Sequence, residues 1–202
     1  MVDVHQKLKQ LIKPNCTIIE IGSHIGTDTV KLCNNLKPKK LYAIEPDTRN
    51  IKEIINLRLS PNVNIINAAV GNKTGAQTFY ESYGNTPRGR LHTDSNSLMK
   101  PIKTDKRPDW VKFKQSTVNV YRLDDLVKYV SEIDLIWMDV QGAELLVIEG
   151  ATETLKRTKY LYTECQEGRY EGQPGLGRIL AALPGWGLVE RYNDNVLLKR
   201  VS

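Results

Sequence analysis

The sequence predicts an α/β protein with a doubly wound, Rossmann-like sheet of about seven mostly parallel strands and helices on both faces. Two observations lead to this prediction. Apolar, β-branched runs such as 17–22 and 41–46 alternate along the chain with segments of helical periodicity. These runs also lack a regular alternation of apolar and polar residues, which is typical of parallel strands that are covered on both faces.

The individual elements can be assigned in chain order. Apolar residues at helical spacing open the chain, and further helices are expected over 25–36, 48–58, 124–130, 144–157 and 175–183. Asp47 is a suitable N-cap for the helix over 48–58. Strands are expected over 17–22, 41–46, 62–70, 76–82, 116–123, 133–140 and 160–164, and in a terminal hairpin of 186–190 with 195–199. An antiparallel strand near the end gives the sheet a mixed edge.

The composition is that of a globular chain. Its 202 residues suit one domain over 1–202, and 40% hydrophobic with 26% charged residues exclude disordered, collagen-like and coiled-coil proteins. A formal net charge of +6 permits a nucleic-acid partner without requiring one. The three cysteines form no CxxC pair, which disfavours a disulfide framework and a zinc site. Because no signal-peptide pattern and no apolar run of ~20 residues is present, we expect a cytoplasmic protein without a membrane span.

A long polar segment interrupts the predicted strands at 83–110. It carries six basic and three acidic residues, so it accounts for half of the net charge of the chain. A loop of this length inside a compact domain is uncommon and is often functional. We interpret it as a basic loop or lid insertion, and a solvated, partly disordered insertion is the alternative.

The first chemical motif is Glu20-Ile-Gly22-Ser-His-Ile-Gly26, which joins the first strand to the following helix. Small residues there let the backbone approach a ligand closely, and the helix N-terminus supplies free N–H groups. The spacing differs from the G-x-G-x-x-G of dinucleotide-binding folds. A carboxylate at Glu20 would repel a pyrophosphate and attract the amino group of a bound amino acid.

Two further loops add to this pattern. Glu45 and Pro46 end the second strand, where a carboxylate can accept hydrogen bonds from both ribose hydroxyls. Ala68 and Ala69 follow the third strand, and their small side chains leave room for an adenine ring. Ligands of open α/β sheets bind outside the carboxyl ends of the strands, where these residues should lie. A nucleoside with a charged amino acid tail satisfies the whole set, and S-adenosylmethionine is such a molecule.

Taken together, these motifs resemble the FkbM-type family of class I S-adenosylmethionine-dependent methyltransferases. The resemblance covers residues 17–165 and rests on segments in the family's order, namely 20–26, 43–46, 68–71, 123–126, 139–144 and 163–164. It implies the class I fold and methyl transfer to a hydroxyl of a sugar, glycan, lipid or other small-molecule acceptor. It also implies a set of cofactor-binding residues: Glu20, Gly22, Ser23, His24, Gly26, Thr27, Glu45, Pro46, Ala68, Ala69 and Asp139.

A hydroxyl acceptor benefits from a general base within hydrogen-bond reach. The main candidates are Asp139, at the tip of the strand over 133–140, Glu144 and His24, and less favoured ones are Glu164 and His92. We prefer Asp139, because this strand tip should lie beside the sulfonium of the cofactor. No tight cluster of metal ligands is visible, so we expect no metal site.

The chain departs from the family's pattern at three places. Gln141 replaces the usual glutamate of the Asp-Val-Glu-Gly-Ala-Glu motif, which removes one carboxylate from the rim. His24 stands where asparagine is more usual. The segment 83–110 is atypical, and nothing in the family predicts its role.

Three other functions compete with this interpretation. An RNA-directed cap ribose 2′-O-methyltransferase would use 83–110 to bind phosphates, but Glu164 stands where such enzymes usually have lysine, and no basic-aromatic interleaving is present. A nicotinamide-dependent oxidoreductase is disfavoured by the glycine spacing. A non-catalytic scaffold is supported by Gln141 but does not need the other pocket residues.

Overall fold

The computed structural model describes residues 3–103 and 107–201, and this part of the chain contains seven helices and ten strands. The helices are α1 (Val4–Leu11), α2 (Thr27–Leu36), α3 (Thr48–Asn56), α4 (Leu123–Leu126), α5 (Glu144–Glu149), α6 (Thr152–Lys156) and α7 (Leu176–Ala181). The strands are β1 (Thr17–Ile21), β2 (Lys40–Ile44), β3 (Val63–Ile66), β4 (Ala69–Val70), β5 (Gly75–Tyr83), β6 (Lys112–Tyr121), β7 (Ile133–Met138), β8 (Thr158–Glu164), β9 (Trp186–Tyr192) and β10 (Asn195–Arg200).

Seven strands form the main sheet, in the order β3-β2-β1-β7-β8-β10-β9. The first five of these strands are parallel to one another, and β10 is antiparallel to both β8 and β9. This arrangement confirms the predicted Rossmann-like α/β fold with a mixed edge. The strand order reverses next to β1, whose neighbours are β2 on one side and β7 on the other, and such a switch point is where open α/β sheets bind ligands.

The strand predicted over 62–70 is two strands, which is a correction. The main-sheet part ends at Ile66, and Ala69–Val70 pairs with β6 in a second, three-stranded sheet of order β4-β6-β5. Strands near the predicted 76–82 and 116–123 are present, but they form this second sheet by antiparallel pairing over Gly75–Tyr83. Local sequence periodicity predicts a strand but not which partner it pairs with, since pairing joins segments that are distant in the chain.

The helix predicted over 144–157 is also divided. It ends at Glu149 and resumes at Thr152, so that Gly150 and Ala151 separate α5 from α6. The Asp47 prediction is confirmed, because its side chain accepts a hydrogen bond from the Arg49 N–H at 2.8 Å. The helix predicted over 124–130 is the single turn α4.

The main sheet is covered on both faces by separate apolar clusters. One contains Ile19, Ile21, Ile136 and Val147. The other contains α1 and α2 residues, and Trp137 and Tyr162 stack in it at a centroid distance of 4.1 Å. Burial on both faces explains the continuous apolar strands that predicted the fold.

The basic segment between β5 and β6 is called the 84–111 loop below. Its described residues pack against the fold: Tyr80 and Ser97 exchange backbone hydrogen bonds at 2.8 and 3.1 Å, and Ser97 is only 1% exposed. His92 is also buried. Residues 104–106, which include two of the charges counted in the sequence, lie outside the described residues.

Candidate active site

A cavity of about 200 Å³ opens at the switch point, beyond the carboxyl ends of β1, β2 and β7. A cavity needs a volume of only ~10–15 Å³ to hold a single water molecule, so this one accommodates a small organic molecule. Most of the residues predicted to bind a cofactor line it, namely Gly22, Ser23, His24, Thr27, Glu45, Pro46, Ala68, Ala69 and Asp139. Glu20, Gly26 and Glu144 are not among the lining residues.

Gly22 allows the loop that follows β1 to pass directly over the end of β7. Its φ is +85°, and a Cβ at this position would lie 1.8 Å from the carbonyl oxygen of Asp139. No residue with a side chain fits this approach. The glycine therefore brings the loop after β1 and the tip of β7 together at the floor of the cavity.

Glu45 is 4% exposed and is held by three donors. Its Oε1 accepts from the Asp47 N–H at 2.9 Å and from Asn50 Nδ2 at 3.1 Å, and its Oε2 accepts from the His24 N–H at 2.9 Å. Burial raises the pKa of Glu45 to about 7, although these hydrogen bonds act in the opposite direction. Since each carboxylate oxygen accepts about two hydrogen bonds, Oε2 has capacity for a ligand donor and Oε1 is saturated. Oε2 is therefore the oxygen with more capacity for a ribose hydroxyl.

Glu20 lies beneath the cavity instead of in its wall. The carboxyl group is 1% exposed, and the hydroxyl of Thr29 donates to its Oε2 at 2.6 Å. Burial raises the pKa of Glu20 to about 8. Gly26 packs closely against α3 and the residue after it, because a Cβ at this position would lie 2.6 Å from the Cδ1 of Leu57. The motif in the sequence could not show which way the Glu20 side chain points.

His24 lines the cavity and connects two loops. Its Nε2 lies 2.7 Å from Oγ1 of Thr93 and 3.1 Å from Oδ1 of Asp94. The bond from His24 lowers the pKa of Asp94 to about 2. Arg90 also donates to both oxygens of Asp94 at 2.9 Å.

The 84–111 loop supplies cavity residues that the sequence analysis did not name. They are Thr93, Asp94, Asn96, Ser97 and Leu98. The length and charge of the segment marked it as functional, but no motif indicates which of its residues reach the cavity. Asn96 Nδ2 donates to Asp47 at 2.7 Å, and Ser97 Oγ donates to the carbonyl of Gln141 at 2.7 Å, so side-chain bonds hold this part of the loop in place.

Asp139 faces the cavity at the tip of β7. Its side chain is accessible to water within the cavity, but protein surrounds it, and this burial raises its pKa. Gln141 Nε2 donates to Asp139 Oδ1 at 2.7 Å. Among the described residues Gln141 is the hydrogen-bond donor to this carboxyl, through its side-chain amide and also through its backbone N–H, which opposes the rise in pKa. Since two carboxylate oxygens accept about four hydrogen bonds, capacity remains for a ligand donor.

The other candidate bases lie outside the cavity wall. Glu144 is 1% exposed and accepts from the Gly142 N–H at 3.1 Å, and burial raises its pKa to about 8. Burial and the nearby Asp139 raise the pKa of Glu164 to about 7. The Nε2 of His92 lies 3.0 Å from Ser95 Oγ, and its ring packs edge-on against Trp110. These contacts stabilise the loop and do not direct the imidazole into the cavity.

One end of the cavity is apolar. Ile44, Ala68, Ala69, Val70 and Phe79 line it. The space predicted beside the two alanines is therefore present, and Phe79 of β5 is an addition that the sequence analysis missed. Its contribution depends on the second sheet, whose position the sequence did not predict.

Comparison with known proteins identifies the family to which this chain belongs. A profile described as the Methyltransferase FkbM domain matches residues 20–194. The chain belongs to the FkbM methyltransferase family. This confirms the resemblance seen in the motifs and identifies an S-adenosylmethionine-dependent methyltransferase.

One relative of this FkbM methyltransferase agrees with the assignment, and two solved structures share its fold. The 2-O-methyltransferase NoeI of Sinorhizobium fredii (strain NBRC 101917 / NGR234) is 35% identical over 200 residues, which is 96% of this chain and 82% of the relative. The solved Methyltransferase FkbM from Methylobacillus flagellatus KT has a TM-score of 0.57 at 16% identity, and it matches 96% of this chain. This chain spans 50% of that protein's length. A Streptococcus mutans protein solved with SAH has a TM-score of 0.52 at 14% identity, and the match covers 99% of each of the two chains.

The cavity of this FkbM-family chain fits an S-adenosyl group. The Gly22 approach provides a close backbone surface, Oε2 of Glu45 has capacity for one hydroxyl, and the apolar end accommodates a flat ring. Two negative findings apply to residues 3–103 and 107–201. They contain no group of three or more His, Cys, Asp or Glu side chains arranged to hold a metal ion. They also contain no helix with the length and apolar character that crossing a bilayer requires.

Proposed function

We propose that this protein binds S-adenosylmethionine in the switch-point cavity and methylates a hydroxyl oxygen of a small-molecule or glycan acceptor. The observation that carries the proposal is the convergence of Gly22, Glu45 and Asp139 on one cavity. The relative that is 35% identical is named a 2-O-methyltransferase, which supports oxygen as the atom that is methylated.

The cofactor would be held by three parts of the wall. Oε2 of Glu45 would accept a ribose hydroxyl, and Ala68, Ala69 and Phe79 would contact the adenine. Ser23 in the loop after β1 and Thr27 at the start of α2 would lie along the amino acid tail. Glu20 would support the first turn of α2 from below through its bond to Thr29, without contacting the ligand directly.

Asp139 is the proposed general base. Bound S-adenosylmethionine would supply an electrophilic methyl group, with the acceptor oxygen bonding to its carbon as the carbon–sulfur bond breaks and leaves its electron pair on sulfur. The carboxylate of Asp139 would take the proton of the acceptor hydroxyl. A pKa raised towards neutrality makes this carboxylate a better base than an exposed aspartate. His24 lines the same cavity and is the second candidate.

The 84–111 loop acts as a lid in this proposal. It already contributes Thr93, Asp94 and Ser97 to the cavity wall. Excluding water from the reacting groups strengthens the electrostatic interactions among them. Opening of the loop would admit the cofactor, and the bonds to His24, Asp47 and Gln141 would hold it closed.

Titration calorimetry tests the cofactor site. We expect wild-type protein to bind S-adenosylmethionine and its demethylated product with micromolar affinity, and Glu45→Ala to weaken both by ~10-fold or more, which is about 1.4 kcal/mol. Glu132→Gln is the matched control, because Glu132 is exposed and precedes β7 at the opposite end of the sheet. Failure of the wild type to bind either ligand would contradict the proposal.

A methyl-transfer assay tests the acceptor. Radiolabelled cofactor is offered with a panel of oligosaccharides, glycolipids and capped RNA. A labelled product that survives mild alkali is expected, because a methyl ether is stable where a methyl ester is hydrolysed. Asp139→Asn should lower kcat by ~10²-fold or more. Methylation of capped RNA alone, or an alkali-labile product, would overturn the proposed acceptor class.

A further inference from the structure

Gln141 connects the candidate base to a fully buried tyrosine. Its Nε2 donates to Oδ1 of Asp139 at 2.7 Å, and its Oε1 lies 3.4 Å from the hydroxyl of Tyr170. Tyr170 is 1% exposed, and its hydroxyl donates to the carbonyl of Ser95 at 2.7 Å. The chemistry fixes the orientation of the amide, because a carboxylate only accepts hydrogen bonds and must therefore face the NH₂ group.

The backbone of Gln141 is also held by its surroundings. Its φ is +53°, a left-handed value that non-glycine residues adopt infrequently. The hydroxyl of Ser97 donates to its carbonyl oxygen at 2.7 Å. The 84–111 loop thus contacts the main chain of Gln141, while Asp139 and Tyr170 contact its side chain. A residue kept in a sparsely populated conformation inside a cavity wall points to a functional role.

The charges around Asp139 explain why an amide is useful here. Acidic groups predominate among its titratable neighbours on the surrounding elements, which are Asp28, His24, Glu144, Glu164, Tyr162 and Tyr170. A glutamate at position 141 would place a second carboxylate within hydrogen-bond distance of Asp139. Two carboxylates at such a short distance do not both ionise readily. The amide instead donates a hydrogen bond to Oδ1 and leaves capacity on the carboxylate for the acceptor hydroxyl.

We propose that Gln141 is a positioning residue, whose amide keeps Asp139 ionised and directs its Oδ2 towards the acceptor hydroxyl. The inference rests on the proposed role of Asp139 as the base. The departure from the family's usual glutamate, which supported a scaffold interpretation, then becomes an adjustment of the catalytic carboxylate. Gln141 acts through Asp139 and need not contact either substrate.

Two substitutions separate this role from a structural one. Gln141→Glu keeps the size of the side chain and replaces the donor with a carboxylate. Gln141→Asn keeps an amide and tolerates a positive φ better, but it is one methylene shorter. Gln115→Glu, at an exposed position of β6, is the control for the added charge. Thermal melting verifies that each variant folds.

The direct measurement is a carbon-13 NMR titration of the Asp139 carboxyl in cofactor-free protein. We expect Gln141→Glu to raise the pKa of Asp139 by one unit or more, and Gln141→Asn to raise it by less, with Gln115→Glu unchanged. An unchanged titration of Asp139 in Gln141→Glu would overturn the proposal. Because this readout needs no turnover, it holds even where the acceptor is not identified.

The kinetic measurement is the pH dependence of kcat at saturating cofactor. In Gln141→Glu the acidic limb should move to higher pH by one unit or more, so that kcat on this limb falls about 10-fold at a given pH, with KM for the cofactor within twofold. Full kcat in Gln141→Asn would contradict a positioning role. If Asp139→Asn itself retains full kcat, the proposed base is wrong, whereas the NMR titration still reports the contact between Gln141 and Asp139.

Discussion

The imidazole of His24 and the carboxylate of Asp94 join two loops across the wall of the cavity, with 3.1 Å between Nε2 and Oδ1. His24 follows β1, and Asp94 lies in the 84–111 loop, so the contact connects segments that are distant in the chain. The backbone N–H of the same histidine donates to Glu45 at 2.9 Å. The loop and the proposed ribose-binding carboxylate are therefore coupled through one residue.

Breaking this contact should loosen the loop more than it weakens the fold. We expect Asp94→Asn to speed amide hydrogen exchange across residues 84–103 and to reduce cofactor affinity by no more than about fivefold, since a half-exposed ion pair contributes ~0.2–1 kcal/mol. Glu171→Gln is the control, because it removes the pair formed with Lys100 at 2.7 Å in the same loop but away from the cavity wall. Equal acceleration in both variants would disprove a specific role for Asp94.

Substitution of Gly22 should damage both the fold and the site. Gly22→Ala puts a Cβ against the Asp139 carbonyl and forces alanine to a φ of +85°. The left-handed backbone alone costs ~1–2 kcal/mol, so we expect a larger total loss and no measurable cofactor binding. The measurements are urea unfolding and calorimetry.

Gly177→Ala provides the contrast. This glycine lies within α7, and nothing would come within 4 Å of an added Cβ. Alanine there should leave stability unchanged or raise it by up to ~1 kcal/mol. Destabilisation by Gly177→Ala as large as that by Gly22→Ala would show that the clash with Asp139 is not the cause.

Glu20 should make the stability of the cofactor-free protein fall as the pH rises. Its pKa is raised by burial from 4.5 to about 8, so between these values the folded protein binds a proton that the unfolded chain has lost. Stability decreases with pH in that window by at most about 1.4 kcal/mol per unit. Glu20→Gln removes this dependence. The free energy of unfolding of the variant, measured relative to that of the wild type, should therefore increase from pH 5 to pH 8.

The difference between the two proteins is the quantity to measure, by urea unfolding at each pH. His5 and His92, whose pKa values are lowered by burial, contribute with the opposite sign, but they cancel because both proteins contain them. A constant difference between Glu20→Gln and wild type would mean that Glu20 is ionised throughout the range.

Asp124 is predicted to stabilise the fold and not the reaction. Its Oδ1 accepts from the N–H of Thr154 at 2.8 Å and from the Thr154 hydroxyl at 2.7 Å, which ties α4 to the first turn of α6. Burial alone would raise its pKa, but these hydrogen bonds outweigh it and lower the pKa. Asp124→Ala should cost ~1–3 kcal/mol of stability, with cofactor affinity unchanged.

Its neighbour supplies the matched control. Asp125 is exposed and makes a 3.2 Å contact with the hydroxyl of Thr74. Asp125→Ala should change the free energy of unfolding by no more than ~0.5 kcal/mol. If the two alanine variants unfold at the same urea concentration, the cap on α6 contributes nothing measurable.

The fold could be predicted largely because its signals are local. Apolar runs, the Asp47 cap and the glycine loop each depend on residues close together in the chain, and chain order then gives the positions of the strands. The division of 62–70 could not be predicted, because Ala69 pairs with Val120 on a strand fifty residues later. The break between α5 and α6 was likewise invisible in an apolar pattern that runs through it.

The sequence by itself determined which strand tips carry the candidate site residues, since the carboxyl ends of parallel strands meet at one edge and Glu45 and Asp139 each follow such a strand. Only the tertiary structure decided where their neighbours point. It turned Glu20 away from the cavity and brought Asp94 and Ser97 into it, and it placed the amide of Gln141 against Asp139. These outcomes depend on the direction of side chains and on contacts between distant segments, which packing of the whole chain fixes and local pattern does not.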